Sequence, residues 1–367
     1  MVRAAEPWNT LFARSENEKN LVVHELRVIY RGGHPLLALP NSKQSALACL
    51  SLYPAQTTRA RVARQLLRLF IKAGWVLGMQ TTRQELSCDD PFIGFLSEAA
   101  GVGRNTMPEF GILAGNPRSA GQRFLILVCD VDGRPTVVVK AGATREARLL
   151  VAAEASFLKQ AGTRVPGVPA LLNHFGNSQV EALALDYFPG ESPRDTGPQK
   201  LSDFLGLWVD ETTTFKVEES ETWQQLKASG SASKLLARIE PNLRGKSIHP
   251  VHFHGDFAPW NIRVSPAGEW TVLDWERGHL RGLPGWDWFH FVIQPAVLVR
   301  KAGAGDLLKL VEEMLNSRSF RDYARKAAIE GLERELLMAY LAHLTNVVRP
   351  SEGLEQNLAL LSRLARS

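Results

Sequence analysis

The chain has 367 residues, of which 45% are hydrophobic and 22% are charged, and its formal net charge is +5. This composition is typical of a globular protein with a sizeable core, and it excludes a wholly disordered chain. An excess of five positive charges is too small, in a chain of this length, to indicate a nucleic-acid-binding protein. The length itself predicts two or three domains.

The cysteine content bears on the cellular compartment. The three cysteines, Cys49, Cys88 and Cys129, are odd in number and fit neither a disulfide framework nor a Cys-x-x-Cys metal site. Because disulfides are rare in reducing compartments, we expect a cytoplasmic protein. No stretch approaches the roughly 18 apolar residues that span a bilayer, and the first residues, among them Glu6 and Asn9, contain no apolar run of signal-peptide type. We therefore expect a soluble protein without a transmembrane segment.

Residues 1–108 carry the net charge, since they contain 13 basic and 8 acidic side chains. The corresponding numbers are 8 and 7 for residues 109–190, and 22 and 23 for residues 191–367. The clearest element of the first segment is an amphipathic helix predicted over 57–75, whose polar face carries Arg61, Arg64, Arg68 and Lys72. Two interpretations of this face stay open: a solvated surface of a helix packed on its own domain, or a peripheral contact with an anionic membrane or a protein.

Residues 109–190 differ in character, because short apolar and β-branched runs alternate with turn residues. These runs predict strands, and a helix that Thr144 can cap follows the third of them. The strands are predicted over 110–114, 124–129, 136–140, 170–175 and 180–188, and the helix over 144–160. This order of elements predicts a small antiparallel α+β lobe.

From residue 191 the pattern becomes mostly helical, with helices predicted over 320–348 and 352–365 and an irregular insert over 249–288. Seven of the nine tryptophans lie between Trp208 and Trp288, which predicts a rigid, well-packed wall around the insert. The fold class predicted for the chain is therefore α+β.

The insert contains the residues that indicate which type of reaction the protein catalyses. Its sequence is Val-His-Phe-His-Gly-Asp-Phe-Ala-Pro-Trp-Asn-Ile over 251–262 and Thr-Val-Leu-Asp-Trp-Glu over 271–276. Phosphoryl transfer requires a carboxylate that orients the acceptor hydroxyl, and oxygen ligands that hold Mg²⁺. Asp256 and Asn261 on one loop, with Asp274 after the following strand, meet these requirements.

The same chemistry requires a lysine on a strand of the preceding lobe, held by a helix glutamate, to bind the nucleotide phosphates. Lys140 ends the third predicted strand, and the helix that follows offers Glu146 and Glu154. Glu154 lies in an otherwise apolar stretch, where a charge needs a partner more than one at a solvated first turn does. We therefore favour Glu154 as the partner of Lys140, and Glu146 is the alternative.

With these motifs the chain resembles the aminoglycoside phosphotransferase and choline-kinase-like family over about residues 109–367. The members are small-molecule kinases with a two-lobed protein-kinase-like fold. The motifs that carry the resemblance are His254-Gly-Asp256 with Asn261, Leu273-Asp274-Trp-Glu276 and Gly282-Leu-Pro-Gly-Trp-Asp287. The resemblance implies that ATP and Mg²⁺ are the cofactors, with Asp256 as the catalytic base and Asn261 and Asp274 as the metal ligands.

The resemblance further implies that His254 and Asp287 brace the catalytic loop. It implies a hinge at Asp186, Tyr187 and Phe188, whose backbone contacts the adenine. The phosphate loop would lie at 115–121, but it is not a Gly-x-Gly-x-x-Gly, so Gly115 and Gly121 are a weak signal for phosphate-binding N–H groups.

The first 108 residues have no counterpart in the minimal core of that family. We accordingly expect an N-terminal extension at 1–108, a nucleotide-binding lobe at 109–190 and a catalytic, substrate-binding lobe at 191–367.

The predicted function is ATP- and Mg²⁺-dependent phosphoryl transfer to a hydroxyl of a sugar-like or amino-alcohol-like small molecule. One alternative is a non-catalytic, kinase-like nucleotide-binding module. The other is a metal-dependent hydrolase, because His252-x-His254-x-Asp256 has the spacing of metal ligands. Such hydrolases need further ligands, and the later histidines show no convincing partners in the sequence: His279, His290 and His343.

Overall fold

The computed structural model describes residues 6–13, 21–53, 58–75, 78–103, 106–117, 121–193 and 196–366. The chain divides into two compact units. The sheet unit comprises Met1–Gly162 and Pro169–Pro189, and the helical unit comprises Thr163–Val168 and Gly190–Ser367. Within the described ranges, every helix is too short or too polar to cross a membrane.

The sheet unit is built from eight strands and four α-helices in the part of it that the structure describes. The strands are β1 (Leu21–Arg31), β2 (His34–Pro40), β3 (Gln80–Ser87), β4 (Glu109–Ala114), β5 (Arg123–Cys129), β6 (Pro135–Gly142), β7 (Leu171–Gly176) and β8 (Glu181–Asp186). The helices are α1 (Lys43–Cys49), α2 (Thr58–Lys72), α3 (Pro91–Ala99) and α4 (Arg145–Ala161). The strands predicted within 109–190 are thus confirmed.

The predicted helices of this unit are confirmed as well. Helix α4 begins after Thr144, whose side chain accepts a hydrogen bond from the N–H of Ala147. Helix α2 matches the amphipathic helix predicted over 57–75, although residue 57 lies outside the described residues.

All eight strands form one antiparallel sheet in the order β3-β1-β2-β4-β5-β6-β8-β7. The N-terminal segment joins the rest through β2, where Leu37 pairs with Leu113 and Ala38 with Ile112 of β4. The segment expected as an N-terminal extension at 1–108 is thus hydrogen-bonded to the lobe that follows it. Strand β4 pairs on both sides, so the segment and the following lobe share one sheet and one compact unit.

The sheet buries both of its faces. Along β5, Phe124, Ile126 and Val128 belong to one buried cluster, whereas Leu127 and Cys129 belong to another. Successive side chains of a strand point to opposite faces, so these clusters are the two cores of the unit. The first core includes Trp8 and Phe92 and the second Ile71 of α2, so both depend on the N-terminal segment.

The helical unit contains eight α-helices and three two-stranded ladders in its described residues. The helices are α5 (Pro198–Gly206), α6 (Glu221–Ala228), α7 (Ser233–Leu243), α8 (Trp286–Leu298), α9 (Ala304–Asn316), α10 (Arg318–Lys326), α11 (Glu333–His343) and α12 (Leu354–Leu364). The strands are β9 (Phe215–Lys216), β10 (Ser247–Ile248), β11 (Val251–Phe253), β12 (Ile262–Val264), β13 (Trp270–Val272) and β14 (His279–Gly282). The pairs are β9 with β10, β11 with β14 and β12 with β13.

The helix predicted over 320–348 has to be corrected. It is broken between α10 and α11, where Ala328 and Gly331 have positive φ angles of 56° and 78°. The N–H of Ala328 bonds to the carbonyl of Arg325, a turn that ends α10. A residue with positive φ cannot continue a right-handed helix, so the chain restarts at Glu333.

The tryptophans form the wall that the sequence predicted. Six of the seven between residues 208 and 288 are at most 6% exposed: Trp208, Trp223, Trp270, Trp275, Trp286 and Trp288. Trp275 packs against His254 with the two rings tilted and their centroids 4.6 Å apart, and its indole N–H donates to the carbonyl of Val272 at 2.8 Å. The fold class is the predicted one: an antiparallel sheet in the N-terminal half and mostly helices in the C-terminal half.

Candidate active site

The loop that carries Asp256 begins directly after β11 with a tight turn at Gly255. Gly255 has φ +81°, and a Cβ atom there would lie 2.8 Å from Cβ of Arg277. Only glycine meets both conditions without strain. The turn directs the chain from β11 towards Asp256 and the short 3₁₀ helix at Pro259–Asn261.

The Asp287 carboxylate, in the first turn of α8, anchors this turn. It accepts hydrogen bonds from the N–H of His254 at 2.7 Å and the N–H of Gly255 at 3.0 Å. Burial raises the pKa of Asp287 to about 7, against the opposing effect of the two N–H donors. Asp287 thus contacts the backbone of the loop, and its geometry is that of a brace.

The His254 side chain connects two segments of the site. Its Nδ1 accepts from the N–H of Asp256 at 3.1 Å, and its Nε2–H donates to the carbonyl of Leu273 at 2.9 Å. Burial lowers the pKa of His254 to about 4, so the ring is neutral at physiological pH. Both ring nitrogens are used, which leaves no lone pair for a metal ion and counts against the His-x-His-x-Asp metal site.

Two neighbouring residues contact the Asp256 carboxylate, but the carboxylate remains accessible to solvent. The Asn261 side-chain amide donates to its carbonyl oxygen at 2.8 Å and to Oδ2 at 3.0 Å, and His290 Nε2 lies 2.9 Å from Oδ1. Its side chain remains 31% exposed. Burial alone would raise the pKa of Asp256, but the hydrogen bond from His290 and the electrostatic effects of the neighbouring histidines together outweigh burial, and the pKa lies below its ordinary value. The carboxylate is therefore ionised, oriented and accessible.

Asp274 lies at the end of the β12–β13 hairpin with a φ of +77°, a left-handed conformation that aspartate tolerates better than most residues. Leu273, the residue before Asp274, is hydrogen-bonded through both of its backbone groups. Its N–H donates to the carbonyl of Asn261 at 2.7 Å, and its carbonyl accepts from His254. The structure thus links Asp256, Asn261 and Asp274, as their sequence order suggested.

Asn261 and Asp274 offer the ligand atoms that Mg²⁺ prefers. The Asn261 nitrogen is committed to Asp256, so Oδ1 is the atom that remains for a cation. The carboxylate of Asp274 supplies further oxygen atoms. An amide oxygen and a carboxylate are a suitable partial ligand set for Mg²⁺, which usually retains water and phosphate oxygens as its other ligands.

In the sheet unit, Lys140 lies on β6 between β5 and β8, opposite Leu125 and Leu183. Its ammonium forms an ion pair with Glu154 of α4, and the two residues are 8% and 0% exposed. Glu146, the alternative partner, is exposed in the first turn of α4. A buried lysine held by a buried glutamate is the arrangement required of a phosphate-binding lysine.

The loop of the β4–β5 hairpin has its first glycine in a constrained position. The N–H of Gly115 donates to the carbonyl of Arg123 at 2.9 Å, and a Cβ at Gly115 would lie 2.5 Å from that oxygen. Gly121 is half-buried at the far end of the loop. Residues 118–120, at the centre of the predicted phosphate loop, lie outside the described residues.

The predicted hinge begins at Asp186, the last residue of β8. Asp186 is exposed, and the N–H of Tyr187 donates to the carbonyl of Thr136 at 2.9 Å. Phe188 is half-buried, and the sheet unit ends one residue later, at Pro189.

Sequence reasoning missed His290, for which it found no partner. His290 lies on α8 and contacts Asp256 directly. A signal was present: α8 is almost entirely apolar, yet Asp287, His290 and Gln294 are spaced three and four residues apart. That spacing places them on one helix face, where buried polar groups need partners.

No protein-family model and no curated protein sequence matches the chain. Similar solved structures include a thermostable mutant of aminoglycoside phosphotransferase APH(4)-Ia in ternary complex with AMP-PNP and hygromycin B, at 13% identity and a TM-score of 0.47, covering 75% of this chain and 97% of that one. An ethanolamine kinase from Plasmodium vivax matches at 10% identity and a TM-score of 0.44, covering 88% and 94%. A putative fructosamine-3-kinase from Haemophilus somnus matches at 13% identity and a TM-score of 0.43, covering 74% and 96%. The similarity between these proteins and this chain is one of fold. The proteins are of the same type as the family that the sequence motifs of this chain resemble.

Proposed function

We propose that the protein is an ATP- and Mg²⁺-dependent phosphotransferase that acts on a hydroxyl group of a small molecule. The observation that carries this proposal is the Asp256 carboxylate, which is ionised, hydrogen-bonded to Asn261 and His290, and still 31% exposed. A carboxylate in this state can accept or orient the proton of an acceptor hydroxyl. We assign this role of catalytic base to Asp256.

The other residues have supporting roles in the proposal. Lys140, held by Glu154, binds the nucleotide phosphates together with the loop that Gly115 and Gly121 bound. The backbone of Asp186, Tyr187 and Phe188 contacts the adenine of ATP. His254 and Asp287 keep Asp256 in place.

Asn261 Oδ1 and the Asp274 carboxylate are the atoms that would hold Mg²⁺. Bound there, the ion would supply charge neutralisation to the transferring phosphoryl group. Asp256 orients the acceptor hydroxyl for in-line attack and takes up its proton.

The acceptor is a neutral or weakly charged molecule, such as a sugar-like compound or an amino alcohol. Residues 191–367 contain 22 basic and 23 acidic side chains, whereas a polycationic acceptor favours a strongly acidic surface. The number and spacing of Cys49, Cys88 and Cys129 fit no disulfide framework, which supports a cytoplasmic location for the enzyme.

Purified protein supplied with ATP, Mg²⁺ and a panel of hydroxylated metabolites tests the proposal, with ADP production as the readout. We expect Asp256→Asn to lower kcat at least about a hundredfold while ATP still binds, because the general base is lost. The matched control is Asp203→Asn, an exposed position on α5 that should leave kcat unchanged. ATP binding without phosphotransfer to any acceptor would favour the non-catalytic module, and full activity of Asp256→Asn would refute the mechanism.

We further propose that α2 attaches the protein to an anionic lipid surface. Helix α2 packs inwards through Ile71, but Val62, Leu66 and Leu69 are 54%, 48% and 60% exposed. Exposed basic residues accompany this apolar stripe: Arg59, Arg68 and Lys72. Apolar side chains combined with cationic ones suit the interface of an acidic membrane, which attracts the charges and takes up the apolar groups.

Vesicle sedimentation tests this attachment. The protein should sediment with vesicles that contain phosphatidylserine and remain in solution with phosphatidylcholine alone. Leu66→Ser/Leu69→Ser should abolish sedimentation, whereas Leu149→Ser, at a 62% exposed position on α4, should not. Failure to sediment with the acidic vesicles would exclude the lipid and leave the basic face to solvent or to a protein.

A further inference from the structure

A chain of buried polar groups runs from Asp256 to the last helix of the protein. His290 and Gln294 lie on α8, Tyr340 on α11 and Asn357 on α12. All four are at most 4% exposed, in surroundings that are otherwise apolar. Buried polar groups are costly unless they are hydrogen-bonded, so such a chain calls for an explanation.

Hydrogen-bond contacts connect these side chains one after another. His290 Nε2 lies 2.9 Å from Oδ1 of Asp256, and His290 Nδ1 lies 3.0 Å from the Tyr340 hydroxyl. Gln294 Nε2 lies 3.2 Å from that hydroxyl and 3.3 Å from Oδ1 of Asn357. The Asn357 amide nitrogen then donates to the carbonyl of Gly353 at 2.8 Å.

The two ends of this chain determine the direction of every hydrogen bond in it. The carbonyl of Gly353 can only accept, so Asn357 donates to it and presents Oδ1 to Gln294. Gln294 therefore donates to the Tyr340 oxygen. Among the described residues, His290 Nδ1 is the acceptor that remains for the Tyr340 hydroxyl. His290 is thereby neutral, with its proton on Nε2, where it is donated to Asp256.

We propose that His290 is a positioning residue for Asp256, and that Tyr340, Gln294 and Asn357 hold His290 in the neutral, Nε2-protonated form. This inference rests on the proposed function, in which Asp256 meets the acceptor hydroxyl. The bond from His290 occupies Oδ1 and fixes the rotation of the carboxylate. Oδ2 accepts a hydrogen bond from Asn261 and keeps a second lone pair for the acceptor hydroxyl.

The kinetic test compares two replacements of His290. His290→Leu removes the donor at similar volume, and misorientation of Asp256 should lower kcat about a hundredfold with little change in the KM for ATP. His290→Gln places an amide N–H close to the position of Nε2 and should recover most of kcat. The control is His343→Leu, another buried histidine, on α11, whose Nε2 lies 3.2 Å from Oε1 of Gln225; its kcat should be unchanged.

A second readout does not depend on activity or on the stability of the His290 variants. Nitrogen NMR of the wild-type protein at neutral pH should show Nε2 of His290 protonated and Nδ1 unprotonated. Tyr340→Phe removes the donor that occupies Nδ1, so Nδ1 should become protonated while Nε2 keeps its proton towards Asp256. A doubly protonated or Nδ1-protonated His290 in the wild type would overturn the inference.

The outcomes separate this inference from the proposed function. If Asp256→Asn retains full ADP production, the proposed function fails, whatever the state of His290. If Asp256→Asn is inactive while His290→Leu equals the wild type in kcat, only the role of His290 is overturned. If His290→Leu and His343→Leu lose kcat equally, the effect is one of packing, and the positioning role is likewise overturned.

Discussion

Lys140 and Glu154 form a buried pair of charges, and their burial is the hardest in the molecule to explain by a contribution to stability alone. They are 8% and 0% exposed, and removing two charges from water costs several kcal/mol for each before their attraction is counted. Their sequence positions identified the pair because Glu154 lies in an apolar stretch of α4. No comparable signal marked Tyr340, which is far from Asp256 in sequence and shares its site only through folding.

Substitution of this pair separates its structural from its functional contribution. Lys140→Met removes the cation facing the buried Glu154 carboxylate and should cost about 3–5 kcal/mol in unfolding free energy. Lys140→Met/Glu154→Leu should recover most of that loss, because no buried charge remains. Urea unfolding measures stability and ADP production measures activity. We expect both variants to be inactive, and recovery of activity in the double variant would contradict the role of Lys140 in binding phosphate.

At the scale of elements, α8 organises the candidate site. Its first turn carries Asp287, which binds the loop backbone, and its next turn carries His290, which binds Asp256. The strands of residues 109–190 and the amphipathic helix α2 were predictable because their periodicity is local. The break between α10 and α11 was not, since Ala328 adopts a positive φ that no turn residue in its place announces.

Replacement of Asp287 tests this organisation. Asp287→Ala removes the acceptor of the N–H groups of His254 and Gly255, so the loop should lose its position and kcat should fall about a hundredfold. Asp306→Ala is the matched control, because Asp306 is an exposed residue in the first turn of α9, which also has 13 residues. Steady-state kinetics of both variants measure kcat. An equal loss of kcat in the two variants would show that the effect of Asp287→Ala is not specific to the loop.

At the scale of the whole molecule, buried titratable groups determine how stability responds to pH. Burial lowers the pKa of three histidines to about 4: His24, His254 and His343. In the unfolded chain these groups titrate near pH 6.5, so below that pH the unfolded state binds more protons than the folded state. Asp287 has the opposite effect, because its raised pKa of about 7 lets the folded state keep a proton.

We therefore expect unfolding near pH 5.5 to take up about two protons, three from the histidines less one from Asp287. Stability should consequently fall as the pH is lowered from about 6.5 towards 4. Urea unfolding across this range measures the slope, and His343→Leu should reduce the uptake by about one proton. A free energy of unfolding that rises as the pH falls would contradict the assignment of these buried groups.

The sequence by itself determined the α+β class and the strands of residues 109–190, and it predicted Asp256, Asn261, Asp274 and Lys140 as site residues. These are properties of local periodicity and of the chemical requirements of phosphoryl transfer, which short segments carry. Only the tertiary structure decided that β2 pairs with β4, and that His290 joins Asp256 to Tyr340, Gln294 and Asn357. Those contacts depend on strand partners and helix faces from distant parts of the chain, and such partners are chosen by packing and by the satisfaction of buried polar groups rather than by local pattern.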